Sequence, residues 1–338
     1  MGNLKKYTVL IFYMSLALII AGCSSAVSGE ELVKKRIVSI ATVQPENHSI
    51  VIGLNAFKKH VEELLGDQIE IKIFTNGVIG GNSEALELLQ MGSLDMVVTS
   101  GSNLEAFADE YKIFSLPYLF NDESSFRKVM DEEEFTDIIY NSTADKGIQG
   151  VSWFANGVNN FYSAKKIETP EDLKGLKIRV QSSEANVKMV QGFKAAAVVL
   201  DYGEVYTALQ NKVIDAGTNP EMALVDMKHG EVAKYYSRTE HQIFTDMFVA
   251  NSAFMESLTE EEEKVFQDAF KLSTEVANGE WDSKVEKAIE EATVMGVEFV
   301  TVDKKPFEEL QIPVKEKLLK GNTDLQKLNE IIQEIQNQ

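Results

Sequence analysis

Residues 36–99 alternate between strand and helix patterns, and this alternation most constrains how the chain can fold. Apolar, β-rich runs predict strands at 36–43, 69–74 and 96–99. Helical spacing predicts helices at 50–65 and 83–91, and Gly66 follows the first of them, where a helix commonly ends. The order strand, helix, strand, helix, strand predicts a parallel sheet with helices on its faces. The fold class is therefore α/β.

A later stretch repeats the spacing of one of these units. The matching residues are Glu84, Leu89-Gln90 and Leu94-Asp95 in the first stretch and Glu204, Leu209-Gln210 and Ile214-Asp215 in the second. In both, an amphipathic helix ends in a polar turn ahead of a short strand, as in two βαβ units. A chain of 338 residues is long enough for two lobes of ordinary domain size. We predict two lobes of similar architecture.

The segment that begins at Thr169 predicts a short capped helix followed by a strand. Thr169 is a natural N-cap, Pro170 suits the first helical position, and Asp172 stands where a capping box needs an acid. The strand that follows alternates apolar and basic residues, so Arg179 faces away from the core near the strand's carboxyl end. Open α/β sheets bind ligands in the crevice beyond these strand ends.

The C-terminal part of the chain is predicted to be helical. Thr259 and Glu262 form a capping box, and apolar residues return to one face as far as residue 292. A continuous helix over 260–294 would be roughly 50 Å long at 1.5 Å per residue. That length exceeds one lobe, so we predict that the helix crosses both. The middle of the chain predicts a helix at 124–140 and strands at 148–154 and 247–250. A strand at 297–302 and surface helices at 306–319 and 323–335 complete the chain.

The N-terminus predicts export from the cytoplasm. Lys5 and Lys6 precede an apolar run at 9–20, and small residues stand just before Cys23, the single cysteine. This resembles a bacterial lipoprotein signal, in which the cysteine becomes the lipidated first residue; an uncleaved anchor with an incidental cysteine is the alternative. We predict a signal peptide at 1–22 and a lipid-anchored flexible linker at 23–36.

Charge and composition exclude several classes of protein. The 33 Lys and Arg against 53 Asp and Glu give a net charge of −20, which argues against nucleic acid and anionic lipid surfaces as partners. The four histidines are far apart in sequence, and the one cysteine leaves no thiolate cluster, so we predict no metal site. No phosphate-binding loop, dinucleotide fingerprint or nucleophile elbow occurs, so no cofactor is expected.

Arg179 is the residue that most suggests a binding function. A guanidinium presents a planar fork that matches a carboxylate and keeps its charge. The alternative is an arginine in a surface salt bridge of an acid-rich protein. The residues alone leave these two interpretations about equal.

Five segments together resemble the DctP-type solute-binding proteins of tripartite ATP-independent periplasmic (TRAP) transporters. They are Thr-Pro-Glu-Asp-Leu-Lys-Gly-Leu-Lys-Ile-Arg-Val at 169–180, Glu-Val-Tyr-Thr-Ala-Leu-Gln at 204–210, Asn219-Pro220, Gly-Ser-Leu-Asp-Met at 92–96 and Leu-Pro-Tyr-Leu-Phe at 116–120. The resemblance covers roughly residues 37–302. It implies a periplasmic-binding-protein-like fold with a cleft between two lobes, lobe 1 at 37–156 and 245–284 and lobe 2 at 157–244 and 285–338. Such proteins bind small organic acids, deliver them to membrane permease subunits and catalyse nothing.

The resemblance also implies which residues contact the ligand. Arg179 is expected to form a salt bridge with the ligand carboxylate, and Asn219 to hydrogen-bond the same group. The further contacts that it suggests by position are Tyr202, Asn82, Ser100, Ser182 and Trp153. For three of these the alternative is a structural role: Tyr202 packing at a helix start, Asn82 capping a helix, and Ser100 bonding its own loop. For Trp153, packing at the hinge or core is favoured over ligand contact.

One position departs from the family pattern. Many relatives carry a second arginine after an Asn-Gly pair, whereas Asn159 stands there in this chain, after Asn156-Gly157. A second full charge on the ligand would lack its usual partner. We therefore expect a monocarboxylate with a polar or hydroxylated tail.

Two other functions are compatible with this sequence. A binding protein of the same fold could serve as a sensor that partners a receptor kinase. A surface-anchored hydrolase acting through two carboxylates is the second alternative, although no pair of acids in the sequence stands out.

Overall fold

The computed structural model describes residues 35–337. The predicted signal peptide, Cys23 and nearly all of the predicted linker lie outside the described residues; Arg36, the last residue of that linker, already begins the first strand. Within the described part of the chain, no helix combines the length and the apolar character needed to cross a membrane.

The first half of the fold is the predicted βαβαβ unit. Its elements are β1 (Arg36–Thr42), α1 (Ser49–Leu65), β2 (Ile69–Phe74), α2 (Asn82–Gln90) and β3 (Met96–Ser100). β1 pairs in parallel with both β2 and β3, which confirms the predicted parallel sheet. The side chain of His48 caps α1 by accepting a hydrogen bond from the N–H of Ile50.

The second half repeats this architecture, as the sequence echo predicts. Its elements are β5 (Lys177–Val180), α5 (Glu184–Gly192), β6 (Ala196–Val199), α6 (Val205–Gln210) and β7 (Ala216–Asn219). Asp95 accepts a hydrogen bond from the N–H of Ser39 at 2.8 Å, and Asp215 accepts one from Lys177 at 2.8 Å. Each of the two matching aspartates is therefore hydrogen-bonded to the first strand of its own half, β1 or β5.

Two long antiparallel strands, β4 (Ile148–Ser163) and β8 (Tyr235–Asn251), run through both halves. The sheet order is β2-β1-β3-β8-β4-β7-β5-β6, with β9 (Glu298–Thr301) paired to β8. The sequence predicts strands only at 148–154 and 247–250, so most of both strands is missed. Their missed parts are buried on both faces and carry many polar residues, so no alternation marks them.

A 35-residue helix spans the molecule, as predicted. We call it α10 (Glu260–Val294); it begins at the Thr259–Glu262 capping box and Gly279 does not interrupt it. It packs on α1 in the first half, on β4, and on α7 (Met222–Asp226) in the second. Its buried residues include Phe266, Phe270, Ala277 and Trp281.

The remaining helices cover the two halves. They are α3 (Glu123–Met130), α4 (Glu133–Asn141), α8 (His229–Val232), α9 (Ser252–Glu256), α11 (Lys305–Leu319) and α12 (Thr323–Gln336), with short 3-10 helices at 101–106, 109–115, 144–146, 170–173 and 202–204. The single helix predicted at 124–140 is two helices, because Glu132 adopts an extended conformation. α11 packs on α5, and α12 packs on α3 and α4. The lobe boundaries given above stay predictions.

Candidate ligand-binding site

A cavity lies between the two halves, with about 520 Å³ of space free of protein atoms when the solvent at its opening is included. It is bounded by the carboxyl ends of β1, β3, β5 and β7, by the middle of β4 and β8, and by α7 and α10. Its lining residues are Val43, Gln44, His48, Asn82, Val98, Thr99, Ser100, Asn156, Arg179, Gln181, Tyr202, Asn219, Pro220, Met222, Ala223, Asp226, Phe244, Asp246 and Trp281. β3 is antiparallel to β8, β8 to β4 and β4 to β7, so β1 and β3 run opposite to β5 and β7. The carboxyl ends of the two sets of strands therefore face each other across the middle of β4 and β8, and ligands of α/β sheets bind in the crevice beyond such ends.

Arg179 lies at one end of the cavity and is 2% exposed, so its side chain is buried between the halves rather than exposed on a strand face. Its Nε donates a hydrogen bond to the carbonyl of Leu200 at 2.9 Å, and its guanidinium lies 5.9 Å from the centre of the Tyr202 ring. Within residues 35–337, no carboxylate comes within 4.0 Å of it and Nη1 makes no hydrogen bond. Burial lowers the pKa of Arg179, yet a guanidinium keeps its proton. The site thus contains a buried cation that lacks an anionic partner.

Asn219 ends β7 beside this arginine, and its side-chain orientation is fixed from behind. The hydroxyl of Tyr162 donates to Asn219 Oδ1 at 3.2 Å, and that hydroxyl also lies 3.0 Å from His229 Nδ1. Burial lowers the pKa of His229 to about 3, so the ring is neutral. Because the one proton of the Tyr162 hydroxyl goes to Asn219, the tautomer that fits has its hydrogen on Nδ1 and donates it to Tyr162. Because Oδ1 is occupied, Asn219 turns its N–H2 group towards the cavity. Arg179, Tyr202 and Asn219 are called the arginine wall below.

Asp246 lies on β8, where it pairs with Ser100 of β3 and Phe154 of β4. Its Oδ2 accepts hydrogen bonds from Gln44 Nε2 and Asn156 Nδ2, both at 3.1 Å. Burial raises the pKa of Asp246 to about 7. Gln44, Asn156 and Asp246 are called the acid wall below.

Aromatic side chains close another side of the cavity. The rings of His48 and Trp281 lie 5.9 Å apart, and burial lowers the pKa of His48 to about 3, so this histidine is neutral. Asp226 beside them is partly exposed and accepts a hydrogen bond from Asn47 Nδ2 at 3.0 Å. The cavity therefore offers apolar surface as well as polar groups, as small-molecule sites commonly do.

Five of the eight predicted contacts line this cavity: Arg179, Asn219, Tyr202, Asn82 and Ser100. Asn82 also accepts a hydrogen bond from Thr99, and Ser100 bonds Ser102.

The other three lie elsewhere. Ser182 lines a neighbouring depression that shares Asn82 and Arg179 with the cavity. Asn159 is 1% exposed and donates to Gln242 Oε1 at 3.2 Å. Trp153 packs edge-to-face on Phe126 with ring centres 5.6 Å apart. Asn159 and Trp153 are thus framework residues in this conformation.

Sequence reasoning missed the acid wall entirely. Two of its residues could have been predicted from the sequence. Gln44 follows β1 at its carboxyl end, and Asn156 precedes Gly157 at the β4 bulge. Asp246 could not, because its part of β8 was not recognised as a strand.

The two halves contact each other beside the cavity. Glu105 accepts hydrogen bonds from Ser183 Oγ at 2.6 Å and from the N–H of Ala185 at 3.2 Å, at the start of α5. Lys112 pairs with Glu184 at 2.9 Å on the same helix end. These contacts join residues predicted to lie in different lobes, so the cleft is closed in this conformation.

Residues 40–322 match the model of the DctP family, described as bacterial extracellular solute-binding protein, family 7. The chain is 37% identical over 264 residues to an uncharacterized protein, YiiZ, of Salmonella typhimurium, covering 78% of this chain and 81% of that protein.

Two solved structures are also similar. A TRAP periplasmic solute-binding protein from Anaerococcus prevotii with bound α/β-D-glucuronate has a TM-score of 0.89 and 41% identity, covering 90% of this chain and 99% of that one. One from Sulfitobacter with bound β-D-galacturonate has a TM-score of 0.85 and 28% identity, covering 90% and 100%.

Proposed function

The chain belongs to the DctP family, the extracytoplasmic solute-binding proteins of TRAP transporters that bind small carboxylates, and we propose that its own ligand is a hexuronate such as D-glucuronate. A hexuronate carries one carboxylate and several hydroxyls on one ring. The two similar structures hold D-glucuronate and D-galacturonate.

Arg179 is the observation that carries the proposal. A buried cation is costly unless an anion compensates it, and no carboxylate of residues 35–337 lies within 4.0 Å to do so. A ligand carboxylate between Arg179 and Asn219 would accept charge-assisted hydrogen bonds from both. The rest of the ligand would then extend towards the acid wall and the Trp281 side of the cavity.

We propose further that the cleft closes on the ligand and that the closed form is what the permease recognises. Closure would bring Glu105 to the start of α5 and remove water from around the carboxylate. The lipid anchor at Cys23 would keep the protein beside its permease after release of the signal peptide, since Cys23 carries the sequence context for lipidation.

Calorimetric titration tests the ligand class. The protein is unfolded and refolded first, which removes any ligand that purified with it. D-glucuronate is expected to bind with a Kd of about 1 µM or below, which corresponds to about −8 kcal/mol. D-glucose, which lacks the carboxylate, should bind at least about a hundredfold more weakly because it leaves Arg179 buried and unpaired.

Two results would contradict the proposal: glucose binding as tightly as glucuronate, or succinate binding more tightly than any hexuronate. The bound glucuronate should also be recovered chemically unchanged after incubation, as expected for a carrier; its turnover would favour the hydrolase alternative.

A further inference from the structure

The cavity has a cation on one side and an anion on the other. Among the described residues that line it, Arg179 is the one lysine or arginine. Two acids also line it: Asp226, which is partly exposed, and Asp246, which is 2% exposed. Asp246 pairs with Ser100 of β3, the strand whose end faces that of the Arg179 strand across the cavity. A ligand that spans the cavity therefore meets opposite charges at its two ends.

The two oxygens of Asp246 have different surroundings. Oδ2 accepts both amide hydrogen bonds, from Gln44 and Asn156, whereas no side chain in the described part of the protein donates to Oδ1. A carboxylate oxygen accepts hydrogen bonds and suits a hydroxyl, which has a proton to donate. A second carboxylate on the ligand has no such proton, and it would add a like charge in a site that excludes water.

We propose that Asp246 selects monocarboxylate sugar acids over dicarboxylate ones, by accepting a hydrogen bond from a ligand hydroxyl and repelling a second ligand carboxylate. The inference rests on the proposed function, since it assumes that the ligand carboxylate lies at Arg179. It names hexuronates as ligands and excludes the corresponding aldarates, in which the far end of the same carbon chain is oxidised to a carboxylate.

A purely structural role for Asp246 makes a different prediction. If Asp246 only held Gln44 and Asn156 in place, replacing it would lower the affinity for all ligands to a similar extent. If Asp246 meets the far end of the ligand, its replacement must change the ratio of the two affinities. The ratio is therefore the quantity to measure.

The test measures the Kd of D-glucuronate and of D-glucarate by calorimetry at pH 8, where Asp246, with its pKa raised to about 7, is mostly ionised. The wild type is compared with Asp246→Asn, a change that keeps the shape and removes the charge. In the wild type we expect glucarate to bind at least about a hundredfold more weakly than glucuronate. In Asp246→Asn, the affinity for glucuronate should fall about tenfold. The ratio of the glucarate Kd to the glucuronate Kd should fall at least tenfold. Asp145→Asn removes the same charge from an exposed aspartate paired with Lys146, and should leave the ratio as in the wild type.

A second measurement changes the ligand instead of the protein, and so does not depend on the variant folding. D-glucaro-1,4-lactone has one of the two carboxylates of glucarate neutralised as an ester. The wild type should bind the lactone at least tenfold more tightly than glucarate.

The outcomes separate this inference from the proposed function. If the wild type binds no hexuronate, the proposed function fails and this inference fails with it. If hexuronates bind through Arg179 but Asp246→Asn leaves the ratio unchanged, or if glucarate, its lactone and glucuronate bind the wild type equally, the inference about Asp246 alone is overturned.

Discussion

The arginine wall and the acid wall are opposite in charge, yet their charges are kept apart. Arg179 has no carboxylate of the described chain within 4.0 Å, and Asp246 is hydrogen-bonded by two neutral amides rather than by a cation. Had the two paired directly, the cleft could close without a ligand. Since each charge is buried without the other, we expect a ligand that supplies an anion at one wall and hydroxyl donors at the other to favour closure.

Removing the cation should have the largest effect on binding. Arg179→Ala would leave the ligand carboxylate buried without its partner, at a cost of about 3–5 kcal/mol, or more than a hundredfold in Kd. Arg179→Lys should also bind poorly, because an ammonium cannot reproduce the planar fork. Calorimetry with D-glucuronate measures both.

The matched control is Arg127→Ala. Arg127 pairs with Asp282 on the surface of α3, and it does not line the cavity. Wild-type affinity is expected for this control. Near wild-type affinity for Arg179→Ala would remove the arginine-centred mechanism.

The ionised side chain of Asp246 should lower the free energy of unfolding, although we propose that the same carboxylate contributes to ligand binding. Burial raises its pKa from the ordinary 3.8 to about 7. Between these values the folded protein binds a proton that the unfolded chain does not, so this residue's contribution to the free energy of unfolding falls as the pH rises. The change in the free energy of unfolding caused by Asp246→Asn in the ligand-free protein should therefore be more favourable at pH 8 than at pH 4.5, by on the order of 3 kcal/mol.

Urea denaturation of both proteins at the two pH values measures this difference. Asp145→Asn, whose aspartate is exposed, should show almost none of it. An Asp246→Asn effect that is equal at pH 4.5 and pH 8 would mean that the acid wall is hydrated in the ligand-free protein, with the cleft open.

The two walls also differed in how far the sequence predicted them. Arg179 and Asn219 lie at the ends of short strands, β5 and β7, within continuous motifs that predict both the strand and the exposed edge. Asp246 is brought to the cavity by the register of β8, where it pairs with Phe154 of β4, 92 residues away in the chain, and with Ser100 of β3, 146 residues away. Local patterns carry no information on such pairing.

Asn159 and Trp153 illustrate the same limit within one strand. The family motif placed both near the cleft, and β4 does pass beside it. The bulge between Ala155 and Val158 shifts the register there, so which side chains face the cavity is decided by the bulge and not by the spacing. Asn156 lines the cavity, whereas Asn159 is buried against Gln242. Ligand contact by Asn159, Trp153 or Ser182 stays a prediction.

Tyr162 should affect binding only through Asn219. Tyr162→Phe removes the hydroxyl that donates to Asn219 Oδ1 and leaves the buried ring in place. The amide would be less well oriented towards the ligand carboxylate, and we expect a loss of about 1 kcal/mol, or about fivefold in Kd. Tyr206→Phe removes the same atom from a tyrosine that bonds Glu231 outside the cavity, and should bind normally. Unchanged affinity in Tyr162→Phe would show that the hydroxyl does not orient the amide.

The rims of the two halves meet where Gly81, next to Asn82, contacts Asp201, next to Tyr202. A substitution here should change the affinity for the ligand least of all. A Cβ added to Gly81 would lie 2.6 Å from Asp201 Cγ, which is too close, whereas the backbone of Gly81 (φ −69°) accepts any residue. Because the Asp201 side chain is exposed and can turn away, Gly81→Ala should weaken glucuronate binding by only about threefold, through closure and with little change in unfolding free energy. Gly203→Ala, where a Cβ has no neighbour within 4 Å, is the control. Equal affinities for the two variants would mean that the rims do not meet in the ligand-bound protein.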